Sequence, residues 1–458
     1  MSLMLSYKEY LLGHYVGLDE MLRGREERAA RQQRLCPEEG ALICFSLNIP
    51  GPIKVFPLCT ELFRIGETAI RAELQKNAVE IVFSCTEKKP WGWEAFFAVR
   101  ADPVSVKRWM IDIEDRTDGG RLFDIDVMDR AEKISRQGLG MAERGCLLCG
   151  RRGKACARNR SHPLEQIQRE VVDSIRSALK GREMSAELLG ELCGLALLHE
   201  VYTTPKPGLV DLNNNGSHED MDVPIFEKSV AALIPYYSLF YTLGKEHCRV
   251  PFGELMEILR PAGLEAESAM RKATGGVNTH KGAVFSMGLL AAAFGYLNGN
   301  GCRTPRPEEL LETAGAIAGG NAVYDGALTQ GVIQYKRFGV RGARGEAAQG
   351  FPTMRRYALP ALLRRTEEGM GLEEAGVCAF MELLTNLEDT NMIARGGLDK
   401  ARQARRLVRE REGRYSREWI EALDRKFIED RLSPGGCADM LAAAYFVAIL
   451  LDLEYLAG

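Results

Sequence analysis

The sequence predicts two domains, an N-terminal α+β domain followed by an all-α domain, and three observations lead there. The chain has 458 residues, more than one hydrophobic core usually serves. Short β-branched apolar runs alternate with amphipathic stretches near the N-terminus. From about residue 164 onward, apolar residues return at helical spacing and strand-like alternation disappears. A boundary therefore falls near 162–182, with domains over 1–165 and 182–458.

Strands are predicted over 41–49, 79–84, 94–99 and 122–127, because each run is bounded by Gly, Pro or charge. Helices are predicted between them over 18–35 and 104–114. The segment from Asn48 to Pro52 carries two prolines and reads as a fixed loop leaving a strand. Helices follow over 165–179, 186–201, 224–243, 251–273, 281–297 and 307–318, then over 357–366, 372–387, 398–411, 417–431 and 437–456. No repeat of fixed period interrupts them. The Arg-rich stretch 400–414 reads as a solvated helix face.

Bulk properties narrow the function. A hydrophobic share of 46% and a charged share of 27% describe an ordinary globular protein. A net charge of −3 argues against an obligate nucleic-acid binder, which needs a strongly basic face. The apolar runs 283–297 and 441–453 fall short of the roughly 20 continuous residues of a membrane span. The first ten residues lack a signal peptide's basic flank and apolar core. The expectation is a cytoplasmic chain with neither nucleic-acid nor membrane partner, its twelve scattered cysteines mostly reduced.

In the first domain, the run Arg121-Leu-Phe-Asp-Ile-Asp-Val127 is the sharpest signal. On a strand, Leu122, Asp124 and Asp126 share one face while Phe123, Ile125 and Val127 share the other. The two carboxylates then lie about 7 Å apart along the strand, within reach of one or two Mg²⁺ ions that bridge to phosphate. The plain alternative is a surface strand with solvated acids. Arg25, with Arg23 and Arg28 on the same early helix, and Lys54 and Arg121 add cations suited to phosphate. Cys146, Cys149, Cys156 and His162 make a C-x2-C-x6-C-x5-H set, the donors of a closed structural Zn²⁺ site. Reduced cysteines in a basic loop are the alternative.

In the second domain, polar islands separate apolar helices. Lys206 lies in the loop from Thr203 to Asp211, and an Asn-rich stretch then leads to Asp220 and Asp222, a possible Mg²⁺ pair. Thr279, His280 and Lys281 end a glycine-rich turn before an apolar helix, a ready anion site. Further on stand Asp389, Arg395 and Asp439. The two acids are expected at opposite helix ends, as Mg²⁺ ligands or as caps.

Two resemblances follow from these motifs. Residues from about 15 to 162 resemble the citrate lyase holo-acyl-carrier-protein synthase family, the apo-citrate lyase phosphoribosyl-dephospho-CoA transferases. The likeness rests on Met21-Leu22 with Arg25-Glu26, Asn48-Ile-Pro-Gly-Pro-Ile-Lys54, Gly120 to Val127, Ile134-Ser-Arg136, Arg144-Gly-Cys-Leu-Leu-Cys-Gly150 and Cys156-Ala-Arg158. Phe123 stands where that family tends to have Trp, a conservative departure. The resemblance implies a nucleotidyltransferase-like fold and a serine of the citrate lyase acyl carrier (gamma) subunit as acceptor. Pyrophosphate would leave; by charge and placement, Asp124 and Asp126 would hold the metal and Arg25, Lys54 and Arg121 would meet phosphate.

Residues from about 190 to 445 resemble triphosphoribosyl-dephospho-CoA synthases, through Thr204 to Asp211, Thr279-His-Lys-Gly282, Gly345-Glu-Ala347, Asp389-Thr-Asn391, Arg395-Gly-Gly397 and Gly435 to Asp439. That family joins ATP to 3′-dephospho-CoA and releases adenine. Lys206, Thr279, Lys281 and Arg395 would serve the nucleotide, and Asp220, Asp389 or His280 would supply metal ligands or the base. The product of the second reaction is the substrate of the first. Two readings stand beside this one: cofactor synthesis for malonate decarboxylase, and a carrier-binding scaffold with one inactive domain.

Overall fold

The computed structural model describes residues 5–319, 330–411 and 413–457. The chain forms two compact units, Tyr7–Arg182 and Glu183–Gly458, the latter joined by Leu5 and Ser6.

The first unit is built on one antiparallel sheet. Its strands β1 (Ala41–Leu47), β2 (Glu80–Lys89), β3 (Gly92–Arg100), β4 (Phe123–Met128) and β5 (Lys133–Ile134) lie in the order β2-β3-β1-β4-β5. Strand β1, flanked by β3 and β4, is apolar apart from Ser46 and is buried from Ala41 to Ser46. The β2–β3 hairpin, whose β3 pairs with β1, outruns the predicted spans. Charged Glu87, Lys88 and Lys89 hid the end of β2, which is an edge strand with lysines, a common guard against edge pairing. At β4 the prediction needs correction in one place. Leu122 does not share the acidic face, for it is buried in a short 3-10 turn, Gly120–Leu122, that ends before the strand begins.

Helices α1 (Leu18–Leu35), α2 (Pro57–Lys76), α3 (Pro103–Arg116), α4 (Gly153–Arg158) and α5 (Leu164–Leu179) complete this unit. The helix over 57–76 was absent from the sequence-based elements. Pro57 starts it, and Leu58, Leu62, Phe63, Ile70 and Leu74 are buried. Its close approach to the sheet depends on Gly66, where a Cβ would come 2.3 Å from the Phe45 ring. Phe45 stacks on Phe63 at 4.6 Å. Helix α5 packs on α2, so it belongs with the sheet rather than with the helices that follow.

The second unit is helical throughout its described residues. Its helices are α6 (Ala186–Tyr202), α7 (Val223–Glu246), α8 (Phe252–Ala273), α9 (Lys281–Gly299), α10 (Pro307–Ala318), α11 (Gln330–Phe338), α12 (Gly342–Ala348) and α13 (Leu359–Glu367). The remainder are α14 (Leu372–Asn386), α15 (Thr390–Gly396), α16 (Leu398–Arg409), α17 (Arg417–Glu429) and α18 (Gly435–Asp452). Helices α9 and α18 are long and apolar enough to cross a membrane, yet 72% and 78% of those windows are buried within the protein. Apolar on all sides, they are the core around which the others pack.

Helix α7 runs against α9 with almost no space between backbones. A Cβ on Gly295 would lie 2.0 Å from the Tyr241 carbonyl oxygen, and one on Gly244 equally close to that of Ala292. Gly295→Val forces these helices apart. It is expected to destabilise the protein by about 3 kcal/mol, read as a lowered unfolding temperature in calorimetry; an unchanged transition contradicts the packing described.

Candidate active sites

Register places the acids of the first unit. Asp124 pairs with Ser46 and Asp126 with Cys44, while Ser46 and Cys44 pair on their other side with Glu94 and Phe96. These side chains therefore share one sheet face, and Phe123, Ile125 and Val127 are buried on the other. Part of the acidic face is covered by α1. Arg28 of that helix reaches Glu94 at 2.7 Å, and Arg31 pairs with Glu87. Asp126 is paired with Lys133 at 2.5 Å. Asp124 has no cation partner among the described residues. Its carboxyl is held above the ordinary range, first by loss of hydration and then by the charge of Asp126, against the weaker pull of Lys133 and Arg28.

The acidic strand is held by its edge. Strand β5 pairs only with Val127 and Met128, so Ile125, which faces Phe45 of β1 on one side, has no strand partner on the β5 side. Two buried side chains of α3 fill the gap: Lys107 Nζ donates to the Ile125 carbonyl at 2.6 Å, and the Ile125 amide donates to Glu114 Oε1 at 3.0 Å. Burial holds the Lys107 ammonium below its usual range, an effect that Glu114 and Asp126 oppose. The other Glu114 oxygen takes Arg136 at 2.7 Å and Arg144 at 3.3 Å. Sequence reading missed Lys107 and Glu114, whose charged types on an amphipathic helix look solvated.

Arg25 and Lys54 come near each other, although α1 is remote from the loop in sequence. The Val16 amide donates to the Pro52 carbonyl at 3.0 Å and Tyr15 bridges Ile53, pinning the start of α1 to the proline loop. Lys54 Nζ donates to the Ile49 carbonyl at 2.6 Å. Burial and then the Arg25 charge hold its ammonium below the usual range. Neither cation has a carboxylate partner among the described residues, so the pair attracts anions. Arg121 is occupied elsewhere, donating to the carbonyls of Gly145 and Cys146 at 3.2 and 3.1 Å.

Cys146, Cys149, Cys156 and His162 converge, with one ligand atom of each lying within 4.8 Å of the others. The Sγ atoms of Cys149 and Cys156 are 3.5 Å apart, against about 3.8 Å expected between sulfurs of a tetrahedral site with 2.3 Å bonds. His162 Nε2 is buried without a hydrogen-bond partner among the described residues. Backbone amides of Cys149 and Leu148 hold the Cys146 thiol below its usual range. Three sulfurs and an imidazole so arranged fit zinc. The carboxylate pairs do not form such a cage, and no other group of three or more metal-binding side chains converges among the described residues.

In the helical unit, the buried acids sort by what they touch. Asp389 caps α15, with Oδ1 accepting from Asn391 and Met392, while its Oδ2 accepts the Cys437 amide at 2.9 Å. Asp439 lies in α18 near that helix's start, so the two acids occupy helix N-terminal regions rather than opposite ends. Burial, then Asp389 and Glu200, push the Asp439 carboxyl well above the carboxylate range, and the Ala283 amide at the start of α9 draws it back. Gly282 makes room for it, since a Cβ there would meet Asp439 Oδ2 at 1.9 Å. The predicted anion site at α9 thus already holds a carboxylate.

The remaining candidates divide between this interior and the loop. Lys206 is fully buried and grips Glu200 at 2.5 Å. His280 is buried beside it and Nδ1 meets Ser229 at 2.7 Å; burial and then the Lys206 charge push its pKa down to about 3. Thr279 donates to the same serine at 2.7 Å, and Lys281 pairs with Glu267 at 2.9 Å. Asp222 caps α7 through the Ile225 amide, whereas Asp220 is exposed. Arg395 donates to the Ser217 carbonyl at 3.2 Å and lies 3.3 Å from His218. Unforeseen in the sequence, Asp211 and Asp424 fasten the Asn-rich loop, Asp424 holding Gly208 and Asn214 at 2.8 Å.

Comparison with known proteins matches both units. Residues 16–178 match the apo-citrate lyase phosphoribosyl-dephospho-CoA transferase family, and residues 186–456 the ATP:dephospho-CoA triphosphoribosyl transferase family. The chain belongs to both families, fused. It is similar to Protein CitXG of Haemophilus influenzae, 33% identical over 467 residues that cover 95% of this chain and 96% of that one. Protein CitXG of Leuconostoc mesenteroides subsp. cremoris is 32% identical over 464 residues, covering 96% and 98%. The helical unit alone is similar to the 2-(5''-triphosphoribosyl)-3'-dephosphocoenzyme-A synthase of Pectobacterium atrosepticum, 41% identical over 261 residues, 55% of this chain and 85% of that one. This is a bifunctional transferase of citrate lyase prosthetic-group synthesis. It makes triphosphoribosyl-dephospho-CoA from ATP and dephospho-CoA and transfers the phosphoribosyl-dephospho-CoA group to an acyl carrier protein.

Removing the edge support of β4 tests its role. Glu114→Ala leaves the buried Ile125 amide without its acceptor and takes the paired carboxylate from Arg144, while Arg136 keeps Asp115, and it is expected to destabilise the protein by about 3 kcal/mol. Urea titration measures it; a loss below about 1 kcal/mol, the scale of an exposed pair, contradicts a buried network.

Proposed function

We propose that Asp124 and Asp126 form the metal end of a nucleotidyltransferase-type site in the first unit, with Arg25 and Lys54 receiving phosphate. One observation carries this: Asp124 shares an open face with Asp126, has no cation partner among the described residues, and has its ionisation opposed by its surroundings. Mg²⁺ suits two carboxylates that leave further positions to substrate phosphate and water, and when bound it neutralises charge developing on departing pyrophosphate. The acceptor is a serine of the citrate lyase acyl carrier (gamma) subunit. Its hydroxyl oxygen forms the new bond to the α-phosphorus as the bond to the β-phosphate oxygen breaks. Arg25 and Lys54 orient the triphosphate for that attack, and the serine proton leaves to a nearby carboxylate or water. The Cys146, Cys149, Cys156 and His162 set would hold a structural zinc ion that orders the loop. Arg121 serves that loop's backbone rather than phosphate.

In the helical unit, the reaction breaks the bond from adenine to C1 of the ATP ribose and forms one from C1 to the dephospho-CoA 2′-oxygen. The hydroxyl proton needs an acceptor. Asp389 has both oxygens committed to amides, so Asp439, with one amide and a carboxyl poised above its usual range, is the base. His280, neutral above about pH 3, lines the same interior with Lys206 and Glu200.

The two units answer separate experiments. Asp439→Asn is expected to slow adenine release from ATP and dephospho-CoA by about 10²–10⁴-fold. It should leave pyrophosphate release intact when triphosphoribosyl-dephospho-CoA is supplied with apo carrier subunit. Asp126→Ala should do the reverse. If both reactions survive in both variants, the assignments of Asp126 and Asp439 are wrong.

Asp124 also makes a stability prediction with a definite sign. Its folded-state pKa is raised, so the folded state holds its proton more firmly than the unfolded chain does. As pH rises from the ordinary carboxylate value through the raised one, ionisation of Asp124 costs stability. Asp124→Asn should therefore raise the unfolding temperature of the metal-free protein at neutral pH while abolishing carrier loading. A lower unfolding temperature would show that the carboxylate is structurally satisfied after all.

A further inference from the structure

We infer that the Cys/His loop and the acidic strand β4 move as one body, so that metal loading of the loop fixes the position of Asp124 and Asp126. The inference rests on the zinc reading above and adds to it a mechanical link, made by two arginines that cross in opposite directions. Arg121 lies just before β4 and reaches out to the loop, where it holds the carbonyls of Gly145 and Cys146. Arg144 lies just before the loop and reaches back, donating to the Phe123 carbonyl and, at 3.1 Å, to the Gly120 carbonyl. The Phe123 carbonyl belongs to the peptide that carries the Asp124 nitrogen. Each segment thus grips the backbone of the other next to its working residues.

The loop has little else to order it. Between residues 140 and 163, Cys156 alone among the described side chains is buried. A segment with no apolar core of its own cannot offset its conformational entropy by burial, so ligand bonds must do so. Its internal hydrogen bonds, Cys146 amide to Arg151 carbonyl at 2.5 Å and Gly150 amide to Cys146 carbonyl at 3.1 Å, tighten the turn around the sulfurs. An orphaned His162 Nε2 beside three sulfurs completes the set. When the loop loses its metal it loses order, and the Arg144 contacts to Gly120 and Phe123 go with it. Arg144 is then a positioning residue for the transferase site. It acts on Asp124 through the strand's backbone and touches no substrate.

The full chain carries its own control, because the synthase reaction uses residues outside this loop. Freshly purified protein should contain about one zinc per chain by elemental mass spectrometry. Chelation should speed amide hydrogen exchange over 123–128, raise the Mg²⁺ concentration needed for half-maximal carrier loading by about tenfold or more, and leave adenine release unchanged. Zinc should restore the slow exchange and the lower Mg²⁺ requirement. Arg144→Lys keeps the charge but loses the fork; it should retain zinc and still show the faster exchange and the raised Mg²⁺ requirement. Protein that neither contains nor takes up zinc overturns the metal reading itself. Zinc that can be removed with no change in exchange or Mg²⁺ requirement, or an Arg144→Lys variant that behaves as the parent, leaves the metal reading intact and overturns the link.

Discussion

The transferase unit depends on how one strand is held at an edge where the sheet gives it no neighbour. Strand β5 covers only the end of β4, so the backbone of Ile125, between the two aspartates, has to bond to something else. A buried donor and acceptor left unmade would cost about 1–3 kcal/mol each. Lys107 and Glu114 from one helix take the place of a strand, supplying the donor and the acceptor that a neighbouring residue would have offered. The substitution brings two charges into the interior, and those in turn require Arg136 and Arg144. The stretch of β4 that β5 does not reach, Phe123–Asp126, thus dictates four buried or half-buried charges and ties α3, β4 and the cysteine loop together.

The helical unit meets a similar demand with a different device. Helices α9 and α18 are apolar on every side, so polar chemistry can enter only at their ends. Free amides at a helix start invite a negative group. Asp389 answers two helices at once, capping α15 and taking the Cys437 amide of α18, while Asp439 takes the Ala283 amide of α9. The helix packing that builds the core therefore also gathers carboxylates around Lys206 and Glu200. Small residues at the contacts, Gly282 beside Asp439 and Gly436 beside Asp389, leave the space that these carboxylates occupy.

Much of this was legible in the sequence, and the reasons for the exceptions are physical. The alternation over 123–127 announced a strand with acids on one face, because a half-covered strand must show its period. Long helices 251–273 and 281–297 were legible from caps and apolar spacing. Helix α2 was not, since its buried apolar positions begin straight after a proline loop and include Cys59, Thr60 and Glu61, which blur the helical period. Charge alone did not reveal which cations were free. Arg121 and Lys206 read as phosphate ligands, yet each is drawn to a protein partner by geometry that only the fold creates. Capping by Asp222 and Asp389 was foreseeable from their places before helices.

How the acids are satisfied separates structure from chemistry. Nearly every acid close to either site has been answered by the protein: Glu94 by Arg28, Asp126 by Lys133, Asp389 by three amides, and Asp424 by Gly208 and Asn214. Asp124 has no cation partner among the described residues, and Asp439 is set against a single amide and two neighbouring carboxylates. A folded chain gains nothing in stability from leaving such groups unanswered; each is a local cost. That cost is removable only by something that arrives: a cation carried with a triphosphate at one site, a hydroxyl proton at the other. Substrate binding then completes an electrostatic arrangement that folding leaves open at both sites.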